Sequence, residues 1–581
     1  MYLKQMTNKK TGRTYLSIAQ KYRDPFKKTS TDRTILSLGY LDELEKEYND
    51  PIAHFKEVAR KMTEEENARK KLTLSINMDE QLNLDTNNRK NFGYAAVLKI
   101  YHELELDRFF NNAARHKNFK YNTNSIMILL AVSRLLSPGS KKKAYEEKNQ
   151  YFERFNFSLD DIYRSLSHYA GISKQLQQYL HENITNKYGR DTKTIYYDVT
   201  NYYFEIDSPD DFRKYGKPKQ NRKKPVVQMG LTMDSDGIPI NFELFPGNKL
   251  DKETFRSVIG EVRRNYNTGR IIVVADMGII TGDNIYYLTG GKKDKPLNGY
   301  VFSFSIRGGT DTFKAYVLNE AGYRDKNGKP VSEETDFKIK SRVIARDIQV
   351  TMTSGKTMKK TVYEKQVVFW SKKYCDKARA ERAEVVKKAM DLIANPVKYN
   401  RATSYGAAAY VTNLEFDKKT GEVLGSEKSL EFNFDKLEED EKYDGYYAIV
   451  TSELDMTDSE IIDTYRGLWE IEETFKITKS ELEARPVHVR IEDHINAHFL
   501  TCFIALAIIR LIQKKLGRKY STAAIIDCLK KISCSNEQEN LYLFDYRSEI
   551  SDAIGEALGI DFTRKRLRLG EIKKILGDTK K

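Results

Sequence analysis

The sequence predicts an α/β chain of several domains, with a core sheet interrupted by a β-rich insertion and helical regions on either side. Three observations predict it. The hydrophobic period changes along the chain from helix-like to strand-like and back. Two acids close strand-like runs, Asp198 in KTIYYDVTNYYFE and Asp276 in RIIVVADMGIITGDN, and a third, Glu472, lies on the helical stretch DTYRGLWEIEETFKITKSELE. A chain of 581 residues also exceeds the size at which a single core keeps growing, so two to four domains are expected.

Composition narrows the function classes. A hydrophobic fraction of 40% suffices for packed cores, and 31% charged residues argue against a membrane protein. The longest apolar run, Phe499 to Ile512, holds Thr501 and Arg510 and is too short to span a bilayer, so it reads as a buried core helix. The start MYLKQMTNKKTGR contains no apolar secretory segment. Cys375, Cys502, Cys528 and Cys534 form no CxxC pair, which fits a reduced, cytoplasmic setting. The net charge of +15, with 98 Lys and Arg, suits a polyanionic partner, although charge alone leaves a basic protein without nucleic acid equally open.

Residues 1–60 read as a small basic β-rich module. RTYLSIAQKYRD and TDRTILSLGYLDEL are two short strands, followed by a helix through Phe55. Lys4, Lys9, Lys10, Arg13, Lys21, Arg23, Lys27 and Lys28 make its first half either a DNA-contacting arm or a solvated edge. Residues 61–90, including MTEEENARKK, read as a linker or exposed helix end. From 91 to 187 the apolar spacing is helical, a candidate DNA-binding region. Ser158 and Asp161 open LDDIYRSLSHYAG in the manner of a capping box, and Gly171 is expected to stop it before SKQLQQYLHENI. That pair is either a helix-turn-helix reader or an ordinary helical hairpin.

From 188 to 304 the order is a strand through Asp198, a hairpin about Asp236-Gly237, the helix TFRSVIGEVRRNY, and the β-branched strand IIVVAD. Three strands, a helix and a fourth strand ending on an acid is the order of a ribonuclease-H-like fold. Roughly 195 residues then separate Asp276 from Glu472, too many for a loop. GYVFSFSIR, FKIKSRVIARDIQVTM and KTVYEKQVVFW look like strands, so 305–440 is expected to be a separate, mainly β insertion. The core resumes over 441–516 with YDGYYAIVTSE and the helix opening at Thr457-Asp458, and 517–581 is a helical basic tail.

Two carboxylates at strand ends and a third on a helix suit a pair of hard divalent cations acting on phosphodiesters. Tyr465, Glu472 and Lys479 are seven apart and drift only about 20° per step along one stripe. Trp469 and Lys476 flank it, while Glu473 lies about 100° further round. Alone, this pattern also suits a solvated helix face with i, i+4 pairing. Unpaired strand carboxylates are costly, so Asp198 and Asp276 are expected to be metal-bound or else caps. Thr200 and Asn284 are candidates to hold them. His494 and His498, i and i+4, lack an HExxH context and a third zinc ligand, so packing or DNA contact is expected of them. No GxxxxGK[ST] or GxSxG occurs.

At YYDVTNYYFE, FELFPGNKLDKETF, VVADMGIITGDN, YRGLWEIEETFKITKSELEARPVHVR and HINAHFLTCFIALAI the sequence resembles the DDE transposases of bacterial insertion sequences, of the insertion-sequence-four class and its 1634 branch. The likeness covers about 190 to 512. That family's Tyr-x2-Arg-x3-Glu-x6-Lys signature falls on Tyr465, Leu468, Glu472 and Lys479, with Leu468 in place of the arginine. Neighbouring Arg466 points about 200° away from Leu468 on an ideal helix. The resemblance implies a ribonuclease-H-like core and two Mg²⁺ ions, replaceable by Mn²⁺, held by Asp198, Asp276 and Glu472. They would activate water against the phosphodiester and align the freed 3′-OH for attack on target DNA. Tyr465, Lys479, Arg466 and Lys476 are the implied DNA contacts. The implied partners are double-stranded transposon ends and target DNA, with a homodimer in the synaptic complex and the nucleoid as the place of action. A ribonuclease-H-like nuclease without strand transfer, or an inactive DNA-binding descendant, are the alternatives.

Overall fold

The computed structural model describes residues 1–9, 11–23, 30–69, 79, 81, 84, 87–206, 208–216, 224–290, 296–332, 335–352, 354–401, 403–417, 421–424, 429–538 and 540–581. They divide into two units, Met1–Asn87 and Asn88–Lys581.

The first unit is an antiparallel sheet of β1 (Tyr2–Thr7), β2 (Thr14–Arg23) and β3 (Ser30–Tyr40), in that order, with the helix α1 (Pro51–Arg69). The module thus has three strands rather than two, and its helix runs on through 61–69, the start of the stretch expected to be a linker. Most of 70–86 lies outside the described residues. Leu16, Ile18 and Ala19 on β2 and Phe55 and Ala59 on α1 are buried. Gln20 donates to Glu66 of α1 at 3.1 Å. The basic arm is only partly free. Arg13 is paired with Asp42 (2.8 Å) and stacked over Tyr40 (3.9 Å), and Lys4 sits 3.2 Å from Asp32. Lys10, Lys27, Lys28 and the side chain of Arg23 lie outside the described residues.

The second unit opens with α2 (Tyr94–Glu103), α3 (Thr123–Leu136) and α4 (Leu159–Tyr188). The capping box at Ser158 and Asp161 is present, but α4 runs 30 residues to Gly189, whose φ is 65°. Gly171 does not stop it, so no turn separates two helices here and the helix-turn-helix reading fails. Leu166, Tyr169, Leu176, Leu180 and Ile184 carry one apolar face across the glycine into the core. Their burial outweighs the ~1 kcal/mol propensity cost of one glycine.

The core follows as β4 (Thr194–Tyr203), β5 (Val226–Met233), β6 (Pro239–Pro246), α5 (Asp251–Asn265), β7 (Ile272–Ala275), α6 (Gly282–Thr289) and β8 (Gly299–Ser303). The expected hairpin joins β5 to β6, with Gly237 at φ 67°. Three antiparallel strands, β6-β5-β4, are continued by β7 and β8, which run parallel to β4. This is the ribonuclease-H-like arrangement.

The next elements are β9 (Phe337–Thr351), β10 (Thr357–Ser371), α7 (Lys372–Ala394), β11 (Tyr446–Thr451), α8 (Asp458–Arg466), α9 (Trp469–Lys479) and α10 (Glu492–Lys515). The sheet has eight strands in the order β9-β10-β11-β8-β7-β4-β5-β6. The expected separate body at 305–440 is therefore corrected: its long hairpin β9–β10 pairs with β11 and extends the core sheet. Glu364, fully buried on that hairpin, meets Arg346 at 2.8 Å. The remainder is mixed, with a small core of Ala389, Leu392, Ala407, Tyr410 and Val411 beside α7.

The two faces of the sheet have separate cores. Tyr197, Val199, Val273, Ala275 and Phe302 pack with Phe255, Val258 and Ile285 of α5 and α6. Tyr196, Tyr202, Val274, Val301 and Ile449 belong to the opposite core with Ile461, Ile471, Phe475 and Phe499 of α8, α9 and α10. α10 is long and apolar enough to cross a membrane, yet 94% of its most apolar window is buried inside the protein, which bears out the core-helix reading.

The tail is not wholly helical. Beside helices Thr522–Lys531, Glu549–Leu558 and Leu569–Asp578, the strands Ser533–Gln538, Leu541–Phe544 and Arg566–Arg568 form a four-stranded sheet with Arg89–Asn91. The start and end of the second unit are thereby hydrogen-bonded together.

Arg510 of α10 is 3% exposed, and its guanidinium lies 3.4 Å from Glu470, 3.1 Å from Glu473 and 2.8 Å from the Thr474 hydroxyl. Arg510→Ala should lower the denaturant midpoint by the equivalent of about 3 kcal/mol, because Glu470 remains buried with one partner fewer. Chemical denaturation followed by fluorescence measures it.

Candidate active site

Register builds the site. In the parallel pair β4–β7, Tyr196 is opposite Val274. That is the last pair of the two strands, and Asp198 and Asp276 each lie two residues beyond it, towards the same end of the sheet. In the pair β7–β8, Ala275 is opposite Phe302, so the next step brings Asp276 beside Ser303. Side chains alternate across a strand, so Asp198 and Thr200 share a face with Tyr196 and Tyr202, and Asp276 shares it with Val274. It is the face covered by α8, α9 and α10. Asp198 does not end its strand as expected. Its parallel partner stops, while the antiparallel pairing with β5 continues to Tyr203. Asp276 stands one residue beyond β7 and is exposed.

Each aspartate is held locally. Asp198 Oδ1 accepts from the Val199 N–H at 2.7 Å. Asp276 caps the turn Met277–Ile279, and its Oδ1 accepts from the Met277 N–H (2.7 Å) and from the Ser303 hydroxyl (2.7 Å). The capping role expected as an alternative is thus present, on one oxygen only. Asn284 does not hold a carboxylate. Fully buried, it donates to the carbonyls of Lys252 (3.0 Å) and Ile279 (2.9 Å) and accepts from Arg256 (3.0 Å), which ties the loop after Asp276 to α5. Thr200 accepts a hydrogen bond from the Lys479 ammonium.

The single helix expected around Glu472 is two, broken at Gly467 and Leu468. The cause is Tyr196, on the same sheet face. Its hydroxyl donates to the Thr464 carbonyl at 3.0 Å, and the Leu468 N–H turns back to Tyr465 instead (3.0 Å). Gly467 is required there, since a Cβ would stand 2.1 Å from the Tyr196 oxygen. Leu468, in place of the signature arginine, is 8% exposed and joins the core. Arg466 is 56% exposed and bonds Asp463 at 3.2 Å.

Despite the break, Tyr465 and Glu472 line one cavity of about 680 Å³, together with Tyr447, Trp469, Arg466 and Lys377. Burial pushes the Tyr465 phenol well above its ordinary pKa, with Tyr447 and the charge of Asp276 adding to the effect. Tyr447 is raised by burial and by the nearby charges of Asp276 and Glu472. Both acids therefore bear on the same phenol. Tyr465, expected at a DNA phosphate, is engaged by Ser303 and Tyr447. Lys479 lies 5.7 Å from the Tyr202 ring, on the Asp198 strand, and Lys476 is exposed. Glu473 turns to Arg510, away from this cavity, and Glu470 is buried with Arg510 and Arg518. Glu472 is the exposed acid of the three.

The oxygen donors fit a hard divalent cation. Among the described residues no three His, Cys, Asp or Glu side chains are already gathered into a metal-holding group. His498 is buried between Lys141 (2.8 Å) and the Ala484 carbonyl (3.1 Å), and His494 stacks on Tyr163 at 6.2 Å, as packing residues do. Sequence reading missed Ser303, Tyr447 and the Tyr196–Gly467 contact. Only Gly467, inside an otherwise helical pattern, carried a signal.

The family model described as transposase DDE domain matches residues 195–508, and that described as IS1634 family transposase, N-terminal domain, matches residues 3–72. No match was found among curated proteins. Among solved structures, the piggyBac transposase synaptic complex with hairpin DNA is similar over 84% of this chain and 85% of that one, at 7% identity and a TM-score of 0.34. The Mos1 transposase paired-end complex with left transposon end aligns over 26% and 51%, at 15% identity and a TM-score of 0.11. The Mos1 mariner paired end complex with Mn aligns over 32% and 72%, at 14% identity and a TM-score of 0.11.

Two glycines test the packing around the break. Gly467→Ala should destabilise by about 1–3 kcal/mol through the clash with Tyr196. Gly171→Ala, with nothing within 4 Å of its Cβ, should stabilise by up to about 1 kcal/mol. Thermal melts of both variants against the parent check the contrast.

Proposed function

The chain belongs to the transposase DDE domain family, and from that premise we propose that Asp198, Asp276 and Glu472 are the carboxylates with which this DNA transposase cuts and joins the ends of an insertion sequence. The observation that carries this reading is the register of β4 and β7, whose last pair stands two residues before Asp198 and Asp276, on the face covered by the helix bearing Glu472. Double-stranded DNA is the substrate, as transposon ends and as target, and a homodimer brings two ends together. The three carboxylates would hold Mg²⁺, with Mn²⁺ able to substitute. Ions held there would supply Lewis-acid polarisation of the phosphodiester and lower the pKa of the attacking water or 3′-OH.

The other residues bind and orient. Lys479, fixed on Thr200 beside Asp198, offers a point charge to a phosphate next to the scissile bond. Arg466, exposed on the wall of the cavity that Glu472 also lines, offers a cation where Leu468 replaces the signature arginine. Lys476 adds a second charge on the exposed face of α9. Trp469, 55% exposed at the same cavity, gives DNA an apolar surface. Glu473 is a partner of Arg510 and takes no part in the chemistry.

Asp198→Ala, Asp276→Ala and Glu472→Ala should each abolish Mg²⁺-dependent cleavage of an end-containing duplex while end binding in a gel-shift assay stays near normal. Glu473→Gln should keep cleavage. Near-normal cleavage by any of the three alanine variants removes that residue from the set.

Lys479→Ala should weaken binding to all duplexes alike and reduce the slope of log K against log salt by about 1. Fluorescence anisotropy across a salt series reads both. An unchanged slope means that Lys479 touches no phosphate.

A further inference from the structure

Ser303 is absent from the three-acid pattern and from the signature around Glu472, yet its hydroxyl is the side-chain group closest to the chemistry of Asp276. It is 4% exposed, at the end of β8. A serine hydroxyl has one proton to give and two lone pairs to fill. The proton goes to Asp276 Oδ1 at 2.7 Å. One lone pair accepts from the Met277 N–H at 3.0 Å. The Tyr465 phenol interacts with the same hydroxyl, and its ring lies 6.2 Å from that of Tyr447. The serine hydroxyl is thus held between Asp276 Oδ1 and the Met277 N–H.

Resting on the proposed role of Asp276, we infer that Ser303 is a positioning residue that fixes one carboxylate oxygen of Asp276 so that the other faces the metal. Ser303 follows Phe302, the last residue of β8 paired with β7, so the sheet places its hydroxyl beside the turn that begins at Asp276. Oδ1 carries both local hydrogen bonds, and Oδ2 takes none from any described residue. A carboxylate anchored by one oxygen cannot rotate its pair freely, which lowers the ordering cost of binding a cation at the other. Asp276 needs such an anchor more than Asp198 does. Asp198 lies within a strand bonded along its length to β5, whereas Asp276 stands past the end of β7, where the backbone turns away.

Tyrosine-sensitised Tb³⁺ luminescence tests this on the full chain without DNA or turnover, because Tb³⁺ is a hard oxygen-seeking ion and Tyr447 and Tyr465 lie beside the site. Ser303→Ala should raise the Tb³⁺ dissociation constant about 10- to 100-fold. Ser303→Thr, which keeps the hydroxyl, should stay close to the parent, and Ser303→Cys should fall between. The Mg²⁺ concentration needed for half-maximal cleavage should shift in the same order, with the maximal rate at saturating Mg²⁺ changed less. Asp276→Asn is the control. If Asp276→Asn loses Tb³⁺ while Ser303→Ala binds as the parent does, the positioning role is wrong and the metal reading stands. If Asp276→Asn binds Tb³⁺ unchanged, the metal reading itself fails. Should Ser303→Ala melt well below the parent, the Thr and Cys variants decide: equal affinities for both overturn the inference.

Discussion

The candidate site depends first on the register of three neighbouring parallel strands. A parallel ladder fixes which residues lie side by side, and a slip of one residue would turn every side chain to the opposite face. With Tyr196 opposite Val274 and Ala275 opposite Phe302, Asp198, Asp276 and Ser303 all follow the last paired residues, at the end of the sheet where β7 stops. The apolar residues on either side hold that register. Val273 and Ala275 are committed to the core under α5 and α6, and Ile272 and Val274 to the core under α10. Neither set can change faces without exposing the other.

The third acid reaches the same face by a different device. A straight helix through Tyr465 and Glu472 would keep its hydrogen bonds and ignore the sheet. Tyr196, two residues before Asp198, takes the Thr464 carbonyl out of the helix. Gly467 leaves room for the ring. One strand therefore carries both Asp198 and the tyrosine that bonds the end of the helix preceding Glu472. Beneath that helix, Ile471 and Phe475 share the core of α10, so the position of Glu472 is set by packing and not by a flexible loop.

Charge is divided between structure and chemistry along a single turn of α9. Glu470 and Glu473 face Arg510 and Arg518; Glu470 and Arg510 are buried, Glu473 is half-buried and Arg518 is exposed. Buried ion pairs add little net stability, but removing one partner is costly, so these two acids are committed to the fold. Glu472, between them in sequence, points to the cavity of Tyr447 and Trp469 and keeps its charge exposed. In the first unit, Arg13 and Lys4 are likewise tied to acids of their own sheet and helix turn.

Much was legible in the residues themselves. The strand order up to IIVVAD, the hairpin at Asp236-Gly237, the cap at Ser158 and the core helix from Phe499 follow from local patterns. Periodicity, turn chemistry and helical angle are properties of a few neighbouring residues. What the chain alone left open involves partners far apart in sequence. The hairpin β9–β10 reads as strands in any setting, but only β11 decides that it extends the core sheet. Gly171 looks like a stop until the apolar face of α4 meets the core on both sides of it. The tail hides its strands because their partner, Arg89–Asn91, lies some 440 residues earlier and is only three residues long. Ser303 carries no motif, since its role comes from being next to Asp276 in the sheet, 27 positions away in the chain. The sequence by itself determined which residues carry the charge and which segments form helices and strands, because those are local free-energy preferences. The tertiary structure alone decided which strands pair, which helices cover each face and which serine bonds Asp276, because strand pairing and packing are set by surfaces that meet only on folding.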